Sequence, residues 1–346
     1  MTTAADQVAP PPRVSGTPSV LALPGASTGL RERLAAGLDA VNDLLRARID
    51  HDDPFIAAAS GHLAAAGGKR FRPLLTILAA ELGTGVNPEV VAAATGVELT
   101  HLASLYHDDV MDEAMVRRGT PSANAAYDNS TAILVGDLLF GTASDIVADL
   151  GPEAVKIQAQ TFVRLCSGQI RDDRPAPTDA DPIAYYLGVL ADKTGVLIAT
   201  AARYGAMFGG CPPEVVETMR VYGEHLGMAF QLADDLIDIA SDAEQTGKTP
   251  GTDLREGKRT LPVLYALGSG DPADARLQEL LRGDLSDDAD LAEALALLRA
   301  HPAMERARQE TYAVARRAQD VLSSLPDSEA KTALHALATG VVDRVG

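Results

Sequence analysis

The chain is poor in the residues that most often announce a function. It has two cysteines, Cys166 and Cys211, no tryptophan, and only 8 Tyr and 6 Phe in 346 residues. Two cysteines without CxxC or zinc-type spacing exclude a disulfide framework, a structural zinc site and a dithiol redox pair. Scarce aromatics argue against base-stacking nucleic-acid modules, which need aromatic platforms. Positive charge is short as well: 30 Lys+Arg against 48 Asp+Glu leave a net charge of −18. That charge repels phosphate backbones and anionic lipid surfaces at long range, so any anionic substrate must be met by locally clustered cations. No uninterrupted apolar run approaches the roughly 18 residues that suggest a spanning helix. The opening MTTAADQVAP lacks the basic stretch and apolar core of a secretory signal. These absences lead to the expectation of a soluble, cytoplasmic protein.

Sustained apolar alternation, the mark of strands, is missing too, whereas helical spacing recurs from Arg31 onward. With 46% hydrophobic and 23% charged residues the composition is that of a globular chain. The spacing predicts helices over 29–49, 54–66, 71–83, 88–113, 121–127, 131–149, 152–170, 181–207, 213–240, 260–267, 273–282, 289–300, 302–323 and 328–344. Glycine and proline punctuate them, as at Gly67-Gly68, Gly119 to Pro121 and GGCPP at 209–213. Residues 1–28, with VAPPPR and no periodicity, are expected to be a disordered or loosely attached tail, and 29–346 one all-α domain with long central helices. The run 241–260 is expected to be a mobile loop.

What is present in excess is aspartate. Two segments read DDxxD: Asp108-Asp109-Val110-Met111-Asp112 and Asp234-Asp235-Leu236-Ile237-Asp238. With 32 Asp in the chain, about 0.3 copies of such a pattern arise by chance, so one copy is weak and two are informative. At 3.6 residues per turn, Asp108 and Asp112 share a helix face, as do Asp234 and Asp238. Apolar positions Val90, Val91, Ala94, Val97, Leu102 and Leu105 lead into the first cluster, and Met228, Phe230 and Leu232 into the second. The clusters therefore sit on core helices rather than on solvated ones. Interior carboxylates need cations, and an oxygen-rich site suits Mg²⁺, which takes a few carboxylates with waters and substrate phosphates.

Cations are grouped to match. Gly67-Gly68-Lys69-Arg70-Phe71-Arg72-Pro73 puts three basic residues at the start of a helix, an end that favours anions. Arg117-Arg118 follows the first cluster, and Lys193-Thr194 lies among Val189, Leu190, Val196 and Leu197. Lys248, Lys258 and Arg259 dot the 241–260 loop. His101 lies about two turns before Asp108 on the same face. By itself it is a hydrogen-bonded core histidine as readily as a ligand. Paired carboxylate and cation clusters are the chemistry of metal-bridged polyphosphates.

These segments, in this order, resemble the trans-polyprenyl diphosphate synthase family, the head-to-tail prenyltransferases of the all-α isoprenoid synthase fold. The resemblance runs from about residue 31 to 346. It rests on GGKRFRP at 67–73, HLASLYHDDVMDEAMVRRG at 101–119, Gly136-Asp137, KTG at 193–195, FQLADDLID at 230–238 and GKTPGTDLREGKRTLP at 247–262. It implies a single bundle of long helices around a central cavity, Mg²⁺ with three ions per active site, an allylic diphosphate primer, isopentenyl diphosphate as extender, and a homodimer. Carried over residue by residue, it implies that Asp108 and Asp112, with Asp234 opposite, bind Mg²⁺ bridging the allylic diphosphate. Asp109, Asp235 and Asp238 would support that site, and Lys193 and the six aspartates form its catalytic set. Arg117, Lys193, Thr194, Gln231, Lys248 and Lys258 would contact the allylic diphosphate. Lys69, Arg72, His101 and Arg118 would hold isopentenyl diphosphate.

In this family the residues just before the first aspartate cluster wall the channel for the growing chain, and aromatics four or five positions before it stop growth early. Here those positions are Ser104 and Ala103, with Thr100 and Val97 deeper, all small. The expectation is a long product, hexaprenyl to decaprenyl, for a quinone side chain. The alternatives are a short-chain geranylgeranyl or farnesyl diphosphate synthase, with a side chain such as Phe140 closing the channel, or the catalytic subunit of a heteromeric synthase. Other readings fit worse. Terpene cyclases carry Asn and Ser/Thr in their second metal motif, squalene-type enzymes use DxxxD, and regulatory subunits lose their aspartates. A calcium-buffering acidic protein would not need the GGKRFRP and RRG cations.

Overall fold

The computed structural model describes residues 25–240 and 250–345, which are helical almost throughout. The helices that build the site are α1 (Thr28–Ile49), α2 (Pro54–Ala65), α3 (Phe71–Ala80), α4 (Pro88–Met111), α5 (Ala123–Tyr127), α6 (Asn129–Asp149), α7 (Pro152–Asp172), α8 (Pro182–Leu190), α9 (Val196–Phe208) and α10 (Pro213–Ala240). Shorter helices follow, then two longer ones, Pro302–Val321 and Glu329–Val342.

The starts of these helices follow from sequence. Asn87 caps α4, its side chain accepting from the Val90 N–H at 2.9 Å with Pro88 at the first helical position. Ser27 does the same for α1 by accepting from Leu30. Side-chain caps satisfy N–H groups that have no partner inside the helix.

The long helices α4 and α10 carry the aspartate clusters. Around α4 lie α1, α3, α6 and α9; around α10 lie α9 and the two long C-terminal helices. Two apolar cores grip α4 from different sides. Val97 belongs to the larger core, with Leu74, Leu78, Leu197 and Leu226. Leu99, Leu102, Ala103 and Tyr106 belong to a smaller one with Leu63, Leu139 and Ile146. Burial on two faces fixes the rotation of α4, and so the direction in which Asp108 points.

The all-α expectation holds, with local departures. The end of the expected tail is packed: Ala26 is buried, and Ser27 Oγ donates to Glu329 on the last long helix at 2.9 Å. Residues 1–24 lie outside the described residues. Strands do occur, as a hairpin pairing Val116–Arg117 with Thr120–Pro121. Its turn residues Arg118 and Gly119 both have positive φ, 55° and 77°, the twist that tight hairpins favour. Two-residue strands are too short for alternation to show. Of the expected mobile loop, 241–249 lie outside the described residues, whereas Thr252–Arg255 form a helical turn.

The expected helix 181–207 is interrupted by one turn of π-helix, Ala191–Gly195, holding Lys193 and Thr194. Two helical stretches, Asn129–Ala148 and Pro182–Phe208, are long and apolar enough to cross a membrane by length and composition. Both are parts of this bundle, so helix packing accounts for their apolarity.

The π-turn depends on a glycine of α7. A Cβ at Gly168 would stand 2.5 Å from the backbone nitrogen of Lys193. Gly168→Ala is therefore expected to destabilise the fold by about 1–3 kcal/mol through overpacking. A thermal melt with unchanged midpoint would contradict this account of the turn.

Candidate active site

In the first cluster the three aspartates face different surroundings. Asp108 is half-buried, and its carboxylate makes no hydrogen bond or ion pair with the described residues. Burial pushes its carboxyl up to about 6, opposed by the charge of Lys193 and reinforced by that of Asp112. Asp109 is fully buried: Oδ1 accepts from Arg117 Nε at 2.6 Å and Oδ2 from the Ala123 N–H at 3.0 Å. It thus ties the hairpin and the start of α5 to the end of α4. Asp112 caps α4 at the surface, 4.0 Å from Arg117 Nη2.

The second cluster divides in the same way. Asp234 is partly open, its side chain 40% exposed, and lies 3.1 Å from Arg344 Nη1, near the C-terminal end. The Arg344 guanidinium also sits over the Phe230 ring, which packs on Phe71 of the GGKRFRP segment. Asp235 is buried and accepts from the Tyr186 hydroxyl and from Gln231 Nε2 at 2.9 Å. Burial first, then the neighbouring Asp253, raises its carboxyl to about 7, and burial drives the Tyr186 hydroxyl well up. Asp238 accepts from the backbone N–H groups of Thr252 and Asp253 at 3.3 and 3.1 Å. Thr194 Oγ1 donates to Gln231 Oε1 at 3.2 Å, so a chain of hydrogen bonds runs Thr194, Gln231, Asp235, Tyr186.

A cavity of about 570 Å³ opens here between α7, α8, α10 and residues 253–260, with Lys193, Thr194, Gln231 and Lys258 in its wall. Lys193 Nζ is 2.7 Å from Asp172, and its charge also acts on Asp108. Lys258 pairs with Glu256 at 2.6 Å. Burial works against its charge, but Glu256, Asp253 and Asp112 together hold its proton more tightly than usual. One lysine on the π-turn and one on the 253–260 segment thus bear on the first cluster.

The other basic group gathers around His101, two turns before Asp108 on α4. Arg118 donates to Gly67 O and to Leu63 O, and Gly68 has φ 145°, a backbone conformation that favours glycine. Arg72 has a buried Nε without a partner, and burial with the nearby Arg118 lowers its guanidinium to about 10 although Glu98 opposes this. His101 is held well below the usual imidazole range, first by burial and then by Arg72, Arg118, Arg117 and Arg70. The local carboxylate, Glu98, is already engaged with Arg70 at 2.7 Å. Partly buried cations in excess of their counter-ions form a site for an anion. Lys69 stands exposed at its edge.

Of the four small residues expected to line the channel, Ser104 alone is half-buried; Ala103, Thr100 and Val97 are completely enclosed. Gln158 Nε2 donates to Thr100 Oγ1 at 2.6 Å, bridging α7 and α4. Phe140 and Phe162 stack at 4.4 Å nearby on α6 and α7. Lys248 lies outside the described residues. Sequence reading missed Arg344, Tyr186 and Asp172. Asp172 stands in the polar run read as a break, and nothing in the pattern linked Arg344 to an aspartate 110 positions earlier.

Among the described residues no three His, Cys, Asp or Glu side chains converge to cage an ion. The donor set nevertheless fits a hard divalent cation: Asp108 offers an unpartnered, half-buried carboxylate, with Asp112 and Asp234 accessible. Mg²⁺ typically takes only one or two carboxylates and completes its shell with waters and substrate phosphates.

A family model described as Polyprenyl synthetase matches residues 53–298. Nonaprenyl diphosphate synthase of Mycobacterium tuberculosis (strain ATCC 25618 / H37Rv) is 49% identical over 312 residues, 90% of this chain and 93% of that protein. Among solved structures, geranylgeranyl pyrophosphate synthase from Corynebacterium glutamicum, complexed with calcium and isoprenyl diphosphate, is similar with TM-score 0.83 and 45% identity, over 92% of this chain and 98% of that one. A decaprenyl diphosphate synthase from Rhodobacter capsulatus has TM-score 0.83 and 37% identity, over 91% and 98%.

The raised Asp108 carboxyl gives a stability signature in the metal-free protein. Its unfolded value is about 4 and its folded value about 6, so the folded state holds that proton more tightly. The associated stability is full below pH 4 and is lost as pH rises through 6. Metal-free Asp108→Asn is therefore expected to melt above the wild type at pH 7, the gap closing toward pH 4. Equal melting temperatures at pH 7 in EDTA would contradict the burial of this carboxylate.

Proposed function

The chain belongs to the polyprenyl synthetase family and is a prenyltransferase, and from that premise we propose that it condenses isopentenyl diphosphate with a farnesyl or geranylgeranyl diphosphate primer to a long-chain all-trans polyprenyl diphosphate. The observation that carries this reading is the side-by-side placement of two anion sites of different kinds. One is bounded by two carboxylate clusters that need a metal, the other by Arg72, His101 and Arg118, which need none.

In this reading Asp108, Asp112 and Asp234 hold Mg²⁺, which when bound offsets the charge that develops on the departing diphosphate. The calcium complex of the Corynebacterium relative supports dependence on a divalent ion. Lys193, Arg117 and Lys258 bind the allylic diphosphate and stabilise it as its carbon–oxygen bond breaks and the electron pair leaves with oxygen. The isopentenyl double bond, placed by Arg72, Arg118 and Lys69, attacks the allylic carbocation. A proton then leaves to the diphosphate, regenerating an allylic product. The low imidazole value of His101 keeps it neutral, so its ring can donate one hydrogen bond without adding charge. No side-chain nucleophile is required.

Length is set on the α4 face below Asp108. A long product, hexaprenyl to decaprenyl and suited to a quinone side chain, agrees with the small Ser104 and with the named nonaprenyl and decaprenyl relatives. One observation favours a shorter chain instead: the Thr100–Gln158 bond closes the space two turns below Asp108. A homodimer is part of the proposal, supported by the exposed apolar side chains Leu134 and Leu138 of α6 and Val155, Val163 and Ile170 of α7. The protein would work in the cytoplasm.

The test is an incubation with Mg²⁺, isopentenyl diphosphate and either primer, followed by mass analysis of the prenyl chains. A ladder ending at six to ten isoprene units supports the proposal; a stop at geranylgeranyl supports the shorter reading; no extension with either primer overturns both. Ser104→Phe is expected to shorten the product by at least one isoprene unit while primer turnover continues. An unchanged length would remove Ser104 from the channel wall.

A further inference from the structure

The third aspartate of the second cluster is spaced to join the first on a metal, yet its carboxylate is directed elsewhere. Three consecutive backbone N–H groups converge on Asp238: that of Gly251 on its carbonyl oxygen at 2.9 Å, and those of Thr252 and Asp253 on its two carboxylate oxygens. This is how a side chain caps the start of a helix, here the turn Thr252–Arg255. We propose that Asp238 is a positioning residue: it anchors residues 251–258 so that Lys258 faces the first cluster, and it is not a metal ligand.

The rest of the segment is built to transmit that anchorage. Gly251 has φ 76°, and a Cβ there would meet Leu295 at 2.9 Å, so the chain is pinned where it turns. Leu254 is buried, and Arg255 reaches Ser286 O at 2.7 Å and Asp288 at 2.5 Å. The Lys258 N–H then donates to Asp253 O at 2.8 Å, closing the turn that carries the lysine. From there the Lys258 charge is felt by Asp253 and Asp112, the latter on the opposite cluster. Asp234, by contrast, faces the cation Arg344, its side chain 40% exposed. The two outer aspartates of one motif therefore do different work: one meets a cation, the other holds the chain that brings a cation in.

The proposal rests on the reading of Lys258 as a diphosphate ligand, and the experiment separates the two. Amide exchange of the metal-free protein reads the anchor directly. Asp238→Ala is expected to speed exchange at Thr252 and Asp253 about tenfold or more, the loss of a hydrogen bond to a charged acceptor. Asp238→Asn, which keeps one acceptor oxygen, should fall between. Calorimetry with Mn²⁺ and inorganic diphosphate should show binding within about twofold of wild type for Asp238→Asn, while Asp234→Ala loses it. In turnover, Asp238→Ala and Lys258→Ala should lower kcat/KM alike, and the double variant should be no worse than the weaker single one, as for residues acting as one unit. Unchanged exchange, or loss of Mn²⁺–diphosphate binding in Asp238→Asn, overturns the anchor. Faster exchange with full turnover in Lys258→Ala overturns instead the role of the lysine, and with it the purpose of the anchor.

Discussion

Like charge held at close quarters is the constraint on which this molecule is built. Six aspartates in two clusters must stand near one another on core helices without a permanent counter-ion for each. The fold meets this by satisfying the middle carboxylate of each motif internally. Asp109 is locked by Arg117 and the Ala123 N–H, Asp235 by Tyr186 and Gln231. What remains open is Asp108 and Asp112 on one side and Asp234 on the other. Burial, with the neighbouring charge of Asp112, keeps the Asp108 carboxyl raised, and a divalent cation held there would offset that cost.

The same economy governs the cations. Lys193 is held by Asp172 and Lys258 by Glu256, so neither collapses onto the aspartates it faces. Two turns along α4 from Asp108, Arg72, His101 and Arg118 are partly buried together, with Glu98 already taken by Arg70 and Asp109 by Arg117. An anion entering there meets donors already held in place. Helix α4, gripped between two cores, carries both Asp108 and His101 and so fixes the spacing of the two groups.

Much of this was legible in the residues. Helical period, glycine and proline breaks and capping residues gave the bundle with ends within a few positions, because burial and local backbone preference agree along most of the chain. The DDxxD pairs and the GGKRFRP and RRG groups marked the site through charge that a core helix does not otherwise tolerate. What spacing could not convey was the direction of each side chain. Asp109 and Asp238 share a motif with Asp108 and Asp234 yet are taken up by backbone N–H groups of later segments. Ala103 and Thr100, small enough to line a channel, are enclosed by α6 and by Gln158. Arg344 reaches Asp234 only through tertiary packing of the last helix, which no local pattern encodes. The π-turn at Lys193 was invisible because one inserted residue leaves the apolar period almost unchanged.

The hydrogen bond from Ser27 to Glu329 joins residues 302 positions apart. During synthesis at about 5–20 residues per second, α1 leaves the ribosome about 15–60 s before its partner helix exists. In that interval Ala26 and the first turn of α1 have no C-terminal helix to dock on. The bundle can therefore assemble outward from α3 and α4 as they emerge, but its seam closes last, after Asp234 has already been made. A nascent chain that ended before Glu329 would carry both aspartate motifs on a bundle whose first helix lacks this seam.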